Sequence, residues 1–127
     1  MHSTKQYPYL CAMNSDNAKQ QMRKGVLELC ILSIIAEKEA YPSDIIRRLK
    51  DSQMIVVEGT LYPLLTRLKD MQLLEYKWQE STQGPPRKYF QVTEEGKVFL
   101  DELARGWSDL VSSVNQIIQR RGDLGNT

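Results

Sequence analysis

Histidine is nearly missing from this chain: His2 is the one example in 127 residues. Its scarcity takes the commonest general base and metal ligand away from every later segment. Cysteine is almost as rare, with Cys11 in a polar stretch and Cys30 in an apolar one. Two residues so placed make neither a disulfide framework nor a zinc-ligand spacing, and they read as incidental thiols of a reduced, cytoplasmic protein. No serine or cysteine has a base at motif spacing, no glycine-rich phosphate loop occurs, and no acids cluster at metal-ligand spacing. An enzyme is therefore not expected, nor a cofactor, nor a metal. No apolar run approaches the roughly 20 residues that cross a bilayer. Residues 1–5 lack the apolar core of a secretory signal.

Excess charge is missing too. Lys and Arg number 17 against 16 Asp and Glu, a net charge of +1, and 41% hydrophobic residues leave room for one modest domain with its own core. Binding to a polyanion needs clustered cations rather than a high total. Here they do cluster, at Arg23-Lys24, Arg47-Arg48-Lys50, Arg67-Lys69 and Arg87-Lys88, while acids gather at Glu37, Glu39, Glu94-Glu95 and Asp101-Glu102. A solvated surface is the ordinary reason for such pairs, so the pattern supports nucleic-acid binding only weakly.

Residues 1–19 are polar and unpatterned, as in a disordered tail, and Met13 would make a natural start. Residues 1–12 then read as a misassigned start or a cloning remnant. Residues 20–93 carry one domain, 94–121 a long helix, and 122–127 a flexible end. From 22 to 36 the chain is apolar on nearly every side, and a helix hydrophobic all round must be covered all round. One face of it can pack on the domain's own core; the other calls for a second subunit. Tyr41-Pro42 breaks the pattern, and Ser43 with Asp44 reads as the cap of a second, short helix.

The third helix is expected to begin close to Gly59. Leu61, Leu64, Leu65 and Leu68 fall at i, i+3, i+4, i+7, a core stripe, and Pro63 is acceptable if it lies in the first turn. The opposite face carries Thr60, Tyr62, Thr66, Arg67 and Lys69. Leu74, Tyr76 and Trp78 alternate with Glu75, Lys77 and Gln79 as in a half-buried strand, and residues 87–92 form the return strand. The connecting segment, 80–86, is longer than a tight hairpin needs. Thr93 caps the last helix, where Leu100, Leu103, Trp107, Leu110, Val114 and Ile117 recur as a heptad seam. Pairing with the same helix of a second chain would bury it; folding back on its own domain is the other solution.

The fold expected is mainly α with a two-stranded β wing: a winged helix-turn-helix followed by a C-terminal dimerisation helix. Thr60, Tyr62, Thr66 and Arg67 are the candidates to enter a major groove, where an arginine can contact guanine. The competing role for Tyr62 is packing against Pro63 and the wing. Ser43 would sit where its helix crosses the backbone, and Arg87 and Lys88 on the wing would contact phosphate. A winged helix can also dock a protein partner without DNA specificity. The polar third helix beside a basic wing favours double-stranded DNA. At the seam, Leu103, Trp107, Leu110, Val114 and Ile117 form the expected dimer interface.

Gly59-Thr60-Leu61-Tyr62-Pro63, Arg67-Leu68, Trp78, Gly84-Pro85-Pro86-Arg87-Lys88-Tyr89-Phe90, Thr93 and Gly96 together resemble the PadR family of bacterial transcriptional regulators. The resemblance covers about residues 22–118 and is closest to the small subfamily with a single dimerisation helix. It implies a homodimeric repressor acting on an inverted-repeat operator. Some small members bind flat aromatic compounds between paired tryptophans at the dimer centre, and Trp107 stands where that tryptophan would be. It is either a ligand-stacking residue or a plain interface anchor. Two positions depart from the family pattern: Pro42 stands where glycine is common, and Gln72 replaces the glycine best suited to a left-handed helix cap.

Overall fold

The computed structural model describes the backbone of residues 8–125 and the side chains of 15–122. In chain order it contains α1 (Pro8–Lys24), α2 (Leu27–Glu37), α3 (Pro42–Asp51), α4 (Glu58–Asp70), β1 (Leu74–Ser81), β2 (Gly84–Val92) and α5 (Glu94–Gly125). The two strands pair antiparallel. Ala40 flanks them through a single bridge to Phe90, each residue's N–H donating to the other's carbonyl at 3.1 and 2.8 Å. This is the winged helix-turn-helix expected, with the long C-terminal helix leaving it after the wing.

Leucines and isoleucines at helical spacing build the core. Leu27, Ile31, Leu32 and Ile35 of α2 meet Ile45 and Leu49 of α3, Leu61, Leu65 and Leu68 of α4, and Leu74 and Phe90 of the wing. Cys30 and Ile34 also pack against this cluster. Most of the apolar surface of α2 is therefore covered by its own chain, and the need for a second subunit there is smaller than its composition suggested. Burial raises the Cys30 thiol above its ordinary pKa, which fits an inert core thiol.

Three sequence expectations about boundaries need correction. Residues 8–19 are helical rather than disordered, and every side chain described on α1 is exposed. The run lacks apolar periodicity but not helix propensity: Ala18, Lys19, Gln20, Gln21 and Met22 are all good formers. Residues 1–7 and 126–127 lie outside the described residues, as does the Cys11 side chain. The cap of α3 is Tyr41, not Ser43: Pro42 takes the first helical position, and Asp44 Oδ2 accepts the Tyr41 N–H at 3.1 Å. Pro63 lies in the second turn of α4, which starts at Glu58 after Val57. Its missing N–H leaves the Gly59 carbonyl without an i+4 donor, at a position that is exposed.

The turns after α3 and after α4 close in the same way. After α3, Gln53 has φ 66° and donates to Lys50 O, while Met54 N–H reaches Leu49 O at 2.7 Å. After α4, Gln72 has φ 64° and donates to Lys69 O, and Leu73 N–H reaches Leu68 O at 3.0 Å. Each is a Schellman motif with a left-handed residue at C′. The departure from glycine at Gln72 has thus not changed the turn; glutamine simply occupies it.

The wing is tighter than expected. Only Thr82 and Gln83 separate the strands, and Pro85 and Pro86 lie within β2. The register passes from Gln79↔Arg87 to Ser81↔Gly84, so Glu80 alone faces both prolines. A bulge with its extra residue there accommodates residues that have no N–H to donate.

Candidate nucleic-acid interface

On α4 the helical period separates two functions. Leu61, Leu65 and Leu68 are buried, leaving Gly59, Thr60, Tyr62 and Thr66 exposed on the other side. Tyr62 is 48% exposed, so packing against Pro63 has not hidden its ring. Tyr62, Pro63, Thr66, Arg67, Asp70 and Met71 line a shallow open depression along this face. Hydroxyl groups and an aromatic edge on an uncovered helix can hydrogen-bond base edges and touch thymine methyl groups.

Arg67 is not free as expected. Its Nη1 meets Glu28 Oε1 of α2 at 2.9 Å, with the carboxylate side chain only 20% exposed. The side chain is still 64% exposed and lines the depression beside Thr66, so the ion pair tethers one edge of the guanidinium without hiding it. Other members of the basic clusters are similarly engaged: Arg47 with Asp44 at 2.9 Å and Arg48 with Glu37 at 2.8 Å.

The wing separates Arg87 from Lys88, because successive strand residues point to opposite faces. Lys88 Nζ lies 4.5 Å from the Tyr76 ring centroid and 5.5 Å from that of Trp78, and among the described residues it makes no salt bridge. Trp78 is 61% exposed. Arg87 turns the other way, toward the start of α3. Its Nη2 donates to Ser43 Oγ at 2.7 Å, and its guanidinium carbon sits 3.8 Å from the Tyr41 ring centroid. Ser43, expected as a cap, is thus brought to the wing. Tyr41 and Gln79 are members of this site that the sequence reading missed. They lie 38 positions apart and are joined by a 3.0 Å bond from the Tyr41 hydroxyl to Gln79 Oε1. No local pattern marks such a pair.

Thr93 does cap α5: its Oγ1 accepts the Gly96 N–H at 2.9 Å and donates to Gln72 O at 2.7 Å. Phe99 and Leu100 pack on the core, and Leu103 is half-buried. Beyond it the seam is open, with Trp107 46%, Leu110 55%, Val114 42% and Ile117 71% exposed. At 32 residues α5 extends about 48 Å. It has not folded back on its own domain.

Among the described residues no helix is long and apolar enough to cross a membrane. The model of the "Transcriptional regulator PadR-like family" matches residues 31–102. A PadR-like transcription factor from Bacteroides fragilis is 58% identical, covering 80% of this chain and 98% of that one, with a TM-score of 0.68. A PadR-like transcriptional regulator from Bacillus cereus is 39% identical over 78% of this chain and 97% of that one, TM-score 0.69. A PadR family regulator from Eggerthella lenta has lower identity, 28%, but a TM-score of 0.81 over 87% of this chain and 96% of that one. An uncharacterized protein of Lysinibacillus sphaericus is 27% identical over 99 residues, 76% of this chain and 91% of that protein. The winged fold, the uncovered α4 face and these likenesses agree that the chain belongs to the PadR-like family of transcriptional regulators, DNA-binding proteins rather than enzymes.

Proposed function

We propose that this protein is a homodimeric repressor that binds an inverted-repeat operator through α4 and is released by a flat aromatic ligand at the dimer centre. The observation that carries the DNA-reading part is the division of α4, with its leucines buried and Thr60, Tyr62 and Thr66 open. Those three residues read base edges, with the N-terminal turns of the helix deepest in the major groove. Ser43, beside the start of α3, and Lys88, on the wing, lie along the phosphates and add affinity without sequence information. Arg67 stands apart from the base-reading set, because to reach a base its exposed guanidinium would first have to turn from its ion pair with Glu28.

Dimerisation rests on the open seam of α5. Leu103, Trp107, Leu110, Val114 and Ile117 form one apolar stripe on a helix much longer than its own core can cover. Pairing two such helices buries the stripe and sets two α4 helices against successive major-groove faces, which an inverted repeat matches. A dimer seated over a promoter excludes polymerase, hence repression. Trp107, half-exposed on the stripe, would stack a planar ligand against its symmetry mate.

Genomic fragments retained by the purified protein at physiological salt would give the operator. Affinity for a retained fragment should fall steeply as salt rises, with a log–log slope of roughly −0.9 for each phosphate neutralised. Binding insensitive to salt, or no preference among fragments, would overturn the reading in favour of a protein-docking role.

A further inference from the structure

The region between α3 and the wing holds a cluster that the DNA-reading surface does not explain. Tyr41, at the start of α3, touches both wing strands. Its hydroxyl donates to Gln79 Oε1 on β1 at 3.0 Å. Its ring face carries the Arg87 guanidinium of β2 at 3.8 Å, and its ring lies 4.8 Å from that of Tyr89, also on β2. Arg87 completes the link by donating to Ser43 Oγ at 2.7 Å. Gln79 and Arg87 are directly opposed in the ribbon, so Tyr41 grips a cross-strand pair.

A two-stranded ribbon is marginal by itself in water, and this one meets the core only at its base, through Leu74, Tyr76, Phe90 and Val92. Gln79 and Arg87 lie at the last regular pair before the bulge. The Tyr41 grip is therefore applied where the ribbon would otherwise begin to swing.

From this we infer that Tyr41 is a positioning residue for DNA binding. It holds the wing against α3, and Arg87 serves as the strap rather than as a phosphate contact. The inference rests on the DNA-binding reading above and gives the wing a fixed angle before any duplex arrives. A guanidinium is suited to the task because its planar fork can stack on an aromatic face and donate in its own plane together. A lysine ammonium keeps the charge but cannot reproduce both interactions.

The test compares Tyr41→Ala, Tyr41→Phe, Arg87→Ala, Arg87→Lys and the double variant Tyr41→Ala/Arg87→Ala. The probe is the shortest genomic fragment retained by the wild-type protein, titrated over a range of salt. With the wing loosened, ordering it on binding should weaken affinity by roughly three- to thirtyfold in Tyr41→Ala, Arg87→Ala and Arg87→Lys. The salt slope should stay at the wild-type value, and Tyr41→Phe, which keeps the ring under Arg87 but loses the bond to Gln79, should fall between wild type and Tyr41→Ala. The double variant should be no worse than either single one, because both remove the same strap. In the free protein, amide exchange at residues 80–84 should quicken in the weakened variants alone. Tyr41→Ala binding like wild type would overturn the inference. So would an Arg87→Ala slope shallower by about 0.9 that Arg87→Lys restores, since that marks a phosphate contact. Should Tyr41→Ala fail to fold, Arg87→Lys, which alters an exposed side chain, decides between strap and contact. A wild-type protein that retains no fragment would instead sink the DNA-binding reading.

Discussion

Gly96, in the first turn of α5, lies against the backbone carbonyl of Leu73 so closely that no side chain fits between them. A Cβ there would strike Leu73 O and come within 2.7 Å of Val92 Cγ1. The contact sets where α5 departs from the winged domain, because Thr93 bonds both Gln72 O and Leu73 O on the same turn. Gly96→Ala should therefore destabilise the fold by about 1–3 kcal/mol through overpacking against a rigid carbonyl. Urea denaturation measures it, and an unchanged midpoint would contradict the close approach.

Gln53 and Gln72 both hold left-handed backbone conformations, which cost a non-glycine residue roughly 1–2 kcal/mol. Gln72→Gly should relieve part of that strain and stabilise the protein by about 0.5–1 kcal/mol, net of glycine's greater unfolded-state entropy. Thermal unfolding should show a raised Tm. A lowered one would mean that the glutamine side chain contributes something the backbone does not reveal.

Arg67→Ala should leave the ranking of DNA sequences unchanged, while Thr60→Ala and Tyr62→Ala flatten it at single positions by about 1–3 kcal/mol each. The arginine's own loss should cost stability by no more than about 1 kcal/mol, since its side chain is 64% exposed. Selection from a randomised duplex pool, run on each variant, checks all three. Relaxed preference in Arg67→Ala would return that residue to the base-reading set.

Charged residues in the seam should split the proposed dimer. Leu110→Glu with Val114→Glu places like charges where two α5 helices would meet, and the variant should be monomeric by light scattering. Because both side chains are exposed in the single chain, far-ultraviolet dichroism should show the winged domain still folded. A persistent dimer would locate the interface elsewhere.

Planar aromatic dyes should quench Trp107 fluorescence if that residue stacks ligand. Trp78 is the more exposed tryptophan, 61% against 46%, so the measurement belongs in a Trp78→Phe background. There, Trp107→Ala should abolish dye binding and leave the dimer intact. Loss of the dimer together with dye binding would assign Trp107 to packing alone.

Much of the architecture was legible in the chain because local rules agreed with one another. The leucine stripe of α4 and the threonine cap before α5 each state a period or a terminus that tertiary packing had no cause to override, whereas the alternation of β1 holds only to Tyr76 and leaves Trp78 61% exposed beyond the core. Helix boundaries were less evenly legible: Ser43 is a plausible cap by residue type, yet the cap of α3 is Tyr41, whereas α4 starts within one residue of Gly59. Residues 8–19 are helical but carry no apolar periodicity, so nothing in their spacing marks the helix.

By itself the sequence determined which residues are turned inward, where the chain reverses, and that the third helix leaves a polar face uncovered. Each of these follows from the spacing of side chains along one element. Tertiary structure alone decided that Arg67 is occupied by Glu28, that Arg87 and Lys88 serve opposite faces of the wing, and that Tyr41 grips Gln79 and Arg87. Such partnerships depend on how separate elements are angled in space, and that angle comes from packing the whole core, which no local stretch of residues encodes.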